Sequence, residues 1–288
     1  MSNALDMFRS AKNEIPDIKF KIPSTGEDIF LRPFTTREQK GVLKAIEKED
    51  QVLINEAFDK LIKNCVLTEG FKVEDLLTKD RDILLIELRK ESVKDDVTYH
   101  WKCPKCEFVN SSKVSLKELK FKKLKDKRKL TKDIKLSDRD ISLRLQLPSI
   151  KFERMILNHI GKVEKDKVSA VDMLNTTLAV SISKMLVHPK DDNESHTEMN
   201  IDFKDRISIL EEMCIDDKKK IEKFLEGIDV YGYDLNIGKK SCCYKKEAPV
   251  VENGKNLYDD KGTVITEVVD TCTHTVDVEL NWSDFFLM

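Results

Sequence analysis

The sequence predicts an α+β protein: two helical units, each followed by a β-hairpin or zinc-knuckle element, on a plan that reads as duplicated. Three observations carry this. Cys103-Pro104-Lys105-Cys106 lies between two strand-like runs, Val97–Trp101 and Phe108–Leu116, and a Cys-x2-Cys turn between short strands is half of a zinc ribbon. Apolar residues at helical spacing precede that turn and recur after residue 150. Near the end of the chain Cys272-x-His274 is again followed by alternation, Val276, Val278 and Leu280, and an aromatic close. Half a ribbon needs a second ligand pair, so the two cysteine regions are expected to meet.

Taken in order, residues 1–26 read as a polar leader running into a strand, Ile18–Ile22, with a turn at Pro23-Ser24-Thr25-Gly26. Asp28–Phe34 returns as the second strand of a hairpin and stops at Pro33. Thr35 with Glu38 three residues on has the spacing of a capping box, and Val42, Leu43 and Ile46 share a face of the helix it opens. A second helix, about Gln51 to Cys65, carries Leu53, Ile54, Phe58, Leu61 and Ile62. A short turn at Val73–Leu77 and a helix with Ile83, Leu84, Ile86 and Leu88 complete a helical unit that ends in the Cys-x2-Cys hairpin, 27–119.

Residues 120–150 form a lysine-rich linker and a strand. The basic stretch begins at Lys113 and reaches Lys135, opposed by Glu118, Asp126 and Asp133, and reads as a solvated linker or exposed strand edge. Ile141–Leu147 alternates and predicts a strand with one buried face. In 151–288, a second helical unit with a C-terminal β/Cys-His element, helices are expected at 151–161, 166–187, 203–214 and 216–226. Strands are expected near 230–237, 263–270 and 275–280.

Composition bounds the function. A net charge of -2 gives no global field toward nucleic acid or membrane. The most apolar stretch, Val168–Val187, is broken by Asp172, Asn175 and Lys184, so no membrane span is expected. The polar first twenty residues do not read as a signal peptide, and seven cysteines, an odd number, then favour a reducing compartment with metal-bound or free thiols. The sequence contains no Gly-rich phosphate loop, G-x-S-x-G or H-E-x-x-H, and its carboxylates are scattered among lysines. No catalytic residues, small-molecule substrate or enzymatic activity are expected.

The metal reading is the sharpest. Cys103 and Cys106 offer two thiolates to one zinc ion. Cys242, Cys243, Cys272 and His274 could supply the second pair. Adjacent cysteines diverge in extended chain, and Cys272 with either Cys243 or His274 is preferred, with two separate sites, or a second knuckle that binds nothing, as the alternatives. Zinc in a closed Cys/His set is structural, with no open position for water. Cys65 and Cys214 fall on apolar helix faces and read as core. Trp282–Met288 reads as a strand end folded on the core, or as an apolar tail docking into a partner. A zinc-ribbon nucleic-acid-binding protein using 113–135 is the alternative function, and an enzyme with zinc in a Cys/His site a third.

The run Ile29-Phe30-Leu31-Arg32-Pro33-Phe34-Thr35-Thr36-Arg37-Glu38-Gln39-Lys40 resembles the opening of the baseplate hub family of T4-like contractile-tailed phages. Leu61–Cys65, Val73–Leu76, Leu84–Val93 and the Cys103/Cys106 knuckle follow in that family's order. The terminal Leu280–Phe286 is similar to its apolar close. The resemblance covers 27–157 well and the tail from about 272 loosely. It departs at the last metal motif, where the family tends to show a second Cys-x2-Cys and this chain has Cys242-Cys243 and Cys272-x-His274. It implies a non-enzymatic protein of baseplate hub assembly, a hub subunit or an assembly chaperone. Its partners would be other hub or tail proteins, in the host cytoplasm during assembly and in the virion tail baseplate if it stays.

Overall fold

Alternating side chains in Ile18-Lys19-Phe20-Lys21 and Asp28-Ile29-Phe30-Leu31 make an antiparallel pair, β1 (Ile18–Lys21) and β2 (Asp28–Leu31), with Ile18 opposite Leu31. Gly26, at φ +79°, turns the chain between them and its N–H closes onto the Ile22 carbonyl. The computed structural model describes residues 17–93, 95–162, 169–188, 196–226, 231–252, 255–257, 259, 261 and 263–286. They fall into two units that interleave along the chain: the larger from the chain up to Ser92 and from Phe121–Gly232, the smaller from Val93–Lys120 and from Tyr233 onward. Residues 27–119 and 151–288 of the sequence reading each contribute to both units, and 120–150 lies in the larger one from Phe121 on.

In the larger unit, helix α1 (Thr36–Ile46) opens with the capping box expected at Thr35 and Glu38. Arg32 reaches the same carboxylate with both terminal nitrogens, at 3.0 and 2.7 Å. Burial raises the Glu38 carboxyl, but the Arg32 guanidinium and the Thr35 N–H and hydroxyl outweigh it and bring it down to about 2. A folded pKa below the ordinary 4.5 contributes stability that is full above about pH 4.5 and lost as pH falls toward 2. Acid titration followed by circular dichroism should show Glu38→Gln destabilised at neutral pH by about 1 kcal/mol, with the gap to wild type narrowing as pH falls from about 4.5 through 2.

Helix α2 (Gln51–Cys65) is capped by Asp50, whose carboxylate accepts from the Val52 and Leu53 amides. Helix α3 (Thr78–Ser92) buries Ile83, Leu84, Leu85, Ile86 and Leu88, covering more than one face, as a central helix does. Gly41, inside α1, is a weak helix former, and a Cβ added there would meet no atom within 4 Å. Gly41→Ala should raise stability by about 1 kcal/mol, read from denaturant melts.

The chain then enters the smaller unit as a hairpin, β3 (Asp96–Lys102) and β4 (Val109–Ser115), paired from Asp96↔Ser115 to Lys102↔Val109. Returning to the larger unit it forms β5 (Thr131–Lys135) and β6 (Ile141–Gln146), then helices α4 (Ile150–Lys162) and α5 (Ala170–Ser181). Strands β7 (Ile182–Val187) and β8 (Thr197–Asn200) and helices α6 (Phe203–Glu212) and α7 (Ile215–Glu226) follow. Strands β5 to β8 make one antiparallel sheet in chain order. Its apolar side chains, Ile134, Leu143, Leu145 and Ile182, pack with Leu178, Leu210, Ile221 and Phe224 of the helices.

The helix expected over 166–187 is corrected: it stops at Ser181, and the end of that run, Ile182–Val187, is β7, with Met185 opposite Leu143. Ile182-Ser183-Lys184-Met185-Leu186-Val187 is an apolar run too short to separate helix from strand by itself, and pairing to β6 decides it. The lysine-rich segment ends in β5, an edge strand with Ile134 buried and its other residues exposed, the usual defence of a sheet edge. The leader before residue 17, most of the loop after His188 and the terminal Leu287-Met288 lie outside the described residues. No helix among the described residues is long and apolar enough to cross a membrane.

Candidate metal centre

The smaller unit is completed by β9 (Asn236–Ser241), β10 (Lys245–Pro249), β11 (Thr266–Thr271), β12 (Thr275–Glu279) and a last short helix, α8 (Trp282–Phe286). β9 pairs with β12 and β10 with β11. Between the two ladders the Cys242 amide donates to the His274 carbonyl at 2.8 Å and the Cys272 amide to the Tyr244 carbonyl at 3.1 Å. These bonds hold Cys242–Tyr244 against Cys272–His274. The tail packs on its own unit: α8 lies against β3, and Phe285 and Phe286 are buried. That removes the docking tail as an expectation.

At the turn of the first hairpin the Cys103 amide donates to the Phe108 carbonyl at 2.9 Å and the Glu107 amide to the Cys103 carbonyl at 2.8 Å. Glu107 takes φ +61°, the left-handed position that lets the chain double back after Cys106. Burial raises the Cys103 thiol, yet the Cys106 and Lys105 amides and the neighbouring thiols bring it down to about 7. This is the electrostatic service a knuckle gives its sulfur.

Four sulfurs meet there: Cys103, Cys106, Cys242 and Cys272, all within 4.8 Å of one another. Cys103 Sγ is 3.9 Å from Cys272 Sγ, 169 residues away, and Cys106 Sγ is 3.5 Å from Cys242 Sγ, 136 residues away. All four are free thiols. Four sulfurs at about 2.3 Å from a tetrahedral zinc ion would stand about 3.8 Å apart, so the separations suit such an ion and are far too long for S–S bonds of about 2.05 Å. The donor set argues the same way. Burial and the sulfurs of Cys242, Cys103 and Cys272 push the Cys106 thiol up to about 12. Four thiolates cannot ionise together at this spacing unless a cation stands between them.

Of the ligand residues read from the sequence, the structure gathers Cys103, Cys106 and Cys272 and leaves Cys243 and His274 outside the group. The fourth sulfur is that of Cys242. Neighbours on extended chain face opposite ways, and at Cys242-Cys243 it is the first that faces the knuckle. The Cys243 amide and thiol both donate to Asn110 Oδ1, at 2.9 and 3.1 Å. The His274 side chain is exposed and its carbonyl takes the Cys242 amide.

Sequence reasoning missed Asn110. Buried on β4, it donates through Nδ2 to the Phe108 carbonyl at 3.2 Å and to Cys242 Sγ at 3.7 Å, while Oδ1 holds Cys243. It ties the two cysteine segments and orients one of the sulfurs, as partners behind a metal's ligands do. Trp101 and Tyr244 pack beside the sulfurs, and the Tyr244 ring lies 5.5 Å from that of Phe108. The Tyr244 amide donates to Cys242 Sγ at 3.5 Å.

The remaining cysteines are placed otherwise. Cys65 is core, its thiol pushed up to about 12 by burial. Cys214, expected in the core, is exposed between α6 and α7, where its carbonyl accepts from the Asp217 and Lys218 amides of α7.

No curated protein and no solved structure matches the chain significantly. The family described as T4 bacteriophage base plate protein matches residues 15–259. The match takes in Cys103, Cys106 and Cys242, ends before Cys272, and runs through the middle helices. With most of its length so matched, the chain belongs to the T4 bacteriophage base plate protein family.

Proposed function

We propose that the protein is a non-enzymatic tail protein acting in assembly of the baseplate hub. Its smaller unit would be held by one structural zinc ion on Cys103, Cys106, Cys242 and Cys272. The observation that carries this is the convergence of four sulfurs from segments up to 169 residues apart on one buried point. A four-thiolate site has no free position for water or substrate, so such an ion staples chain and does no chemistry. Membership of the family supports work through contacts with other tail proteins. Cys243 and His274 then act beside the ion, one through Asn110 and the other through its backbone.

Two measurements test the reading. Co-expression with the phage's hub proteins should yield a complex that survives gel filtration, and a chain that associates with none of them would overturn the tail-assembly role. Mass spectrometry of purified particles separates the two forms of that role. Peptides of this chain in the particle make it a hub subunit; their absence, with abundant chain in infected cells, makes it an assembly chaperone.

A further inference from the structure

Helices α1 and α2 leave between them an open cleft of about 410 Å³. Its floor is apolar: Leu53 and Ala57, half-buried, present their surface over the buried Val42, Ala45 and Leu61. Its rim is basic: Arg37, Lys44, Lys48 and Lys60 stand against Glu38 and Glu56. Glu38 is already engaged by Arg32 and Thr35, which leaves four cations facing one other carboxylate. Among the described residues no ion pair or side-chain hydrogen bond engages Arg37, Lys44, Lys48 or Lys60.

Gly41 lines the same cleft, and a Cβ on it would meet nothing within 4 Å. Nothing inside the chain asks for glycine in this helix turn, and glycine weakens it. What glycine provides there is room for another backbone to come close.

We infer that the α1–α2 cleft receives an acidic amphipathic helix from a partner protein. Apolar side chains at i, i+3/i+4 and i+7 would seat on Leu53 and Ala57 and on the aliphatic stems of the flanking lysines, as in helix-in-groove recognition. Flanking aspartates and glutamates would meet Lys44, Lys48, Lys60 and Arg37. Close approach would occur over Gly41. The inference rests on the proposal that the chain works by binding other tail proteins, and adds which surface and which kind of segment.

The test uses the full chain and fluorescence anisotropy with two labelled peptides of about four helical turns. Both carry leucines at i, i+3, i+4 and i+7; one has glutamates elsewhere and the other lysines. The glutamate peptide is expected to bind, more weakly with added salt, and the lysine peptide is not. Gly41→Phe should weaken the glutamate peptide at least about tenfold while melting no earlier than a Gly41→Ala control. Lys44→Glu with Lys48→Glu should transfer the preference to the lysine peptide, which decides the matter if Gly41→Phe does not fold. Failure of the glutamate peptide to bind, equal binding of both peptides, or full binding to Gly41→Phe would overturn the inference. So would sedimentation showing a wild-type dimer that Gly41→Phe makes a monomer, since a second copy would then cover the cleft. None of these outcomes touches hub-complex formation through other surfaces, which the co-expression experiment reads.

Discussion

Cys272→Ser is expected to release the metal and unfold the smaller unit, while Cys243→Ser, carrying the same chemical change in the facing segment, should leave both in place. The contrast follows from position. Cys272 Sγ stands 3.9 Å from Cys103 Sγ inside the group, whereas Cys243 is exposed and bonded to Asn110. Structural zinc in small thiolate sites contributes on the order of 10 kcal/mol to folding, comparable with the whole stability of an ordinary domain, about 5–15 kcal/mol.

The smaller unit also buries the apolar side chains Val97, Tyr99, Leu116, Leu280, Phe285 and Phe286. The strands that flank Cys242 and Cys272 are less covered: every residue of β11 is exposed. Metal analysis should give about one zinc per wild-type chain. A strong chelator should abolish the strand signal of this unit in circular dichroism and spare the helices of the larger one. Retention of zinc by Cys272→Ser, or its loss from Cys243→Ser, would break the four-sulfur assignment.

That contrast also marks how far the sequence could be read. Features whose cause is local were legible. The Thr35/Glu38 box, the β1–β2 hairpin, the β6 strand and the Cys103/Cys106 turn each follow from residues within a few positions of one another. Features decided by distant partners were not. Ile182–Val187 is a strand because β6 and β8 lie on either side of it. Cys242 rather than Cys243 enters the group because pairing to Cys272–His274 sets which of the two faces the knuckle. The interleaving of the units is of the same kind. Periodicity shows that residues 36–92 and 150–226 are mostly helical, and nothing in it tells that both belong to one unit. A pairing signal for Asn110 was absent too, since a lone asparagine in a strand looks like surface until its buried partners are known.

Arg81→Ala should destabilise the larger unit by about 3–5 kcal/mol, the cost of leaving a buried ion pair half empty. Arg81, on α3, is buried and grips Glu153 of α4 with both terminal nitrogens, the second at 3.2 Å. Its guanidinium also stands 3.9 Å from the buried Asp59 of α2, which Arg154 of α4 holds at 2.8 Å; Arg154 in turn reaches Glu74 at 3.3 Å. Two guanidinium groups and three carboxylates thus bind α2, α3 and α4 across the point where the first part of the unit meets the second. The backbone link there is a short bridge at Leu77 and Ser149. Burial already pushes the Asp59 carboxyl up, opposed by Arg154 and Arg81. Without Arg81 that carboxylate keeps one partner, and Glu153 loses its own. The charge left behind does the damage, so Asp59→Asn added to Arg81→Ala should recover part of the loss. A double-mutant cycle in urea should return a coupling of about 1–3 kcal/mol. Simple additivity of the two losses would mean that Asp59 and Arg81 act independently and that the charge left on Asp59 is not what destabilises the variant.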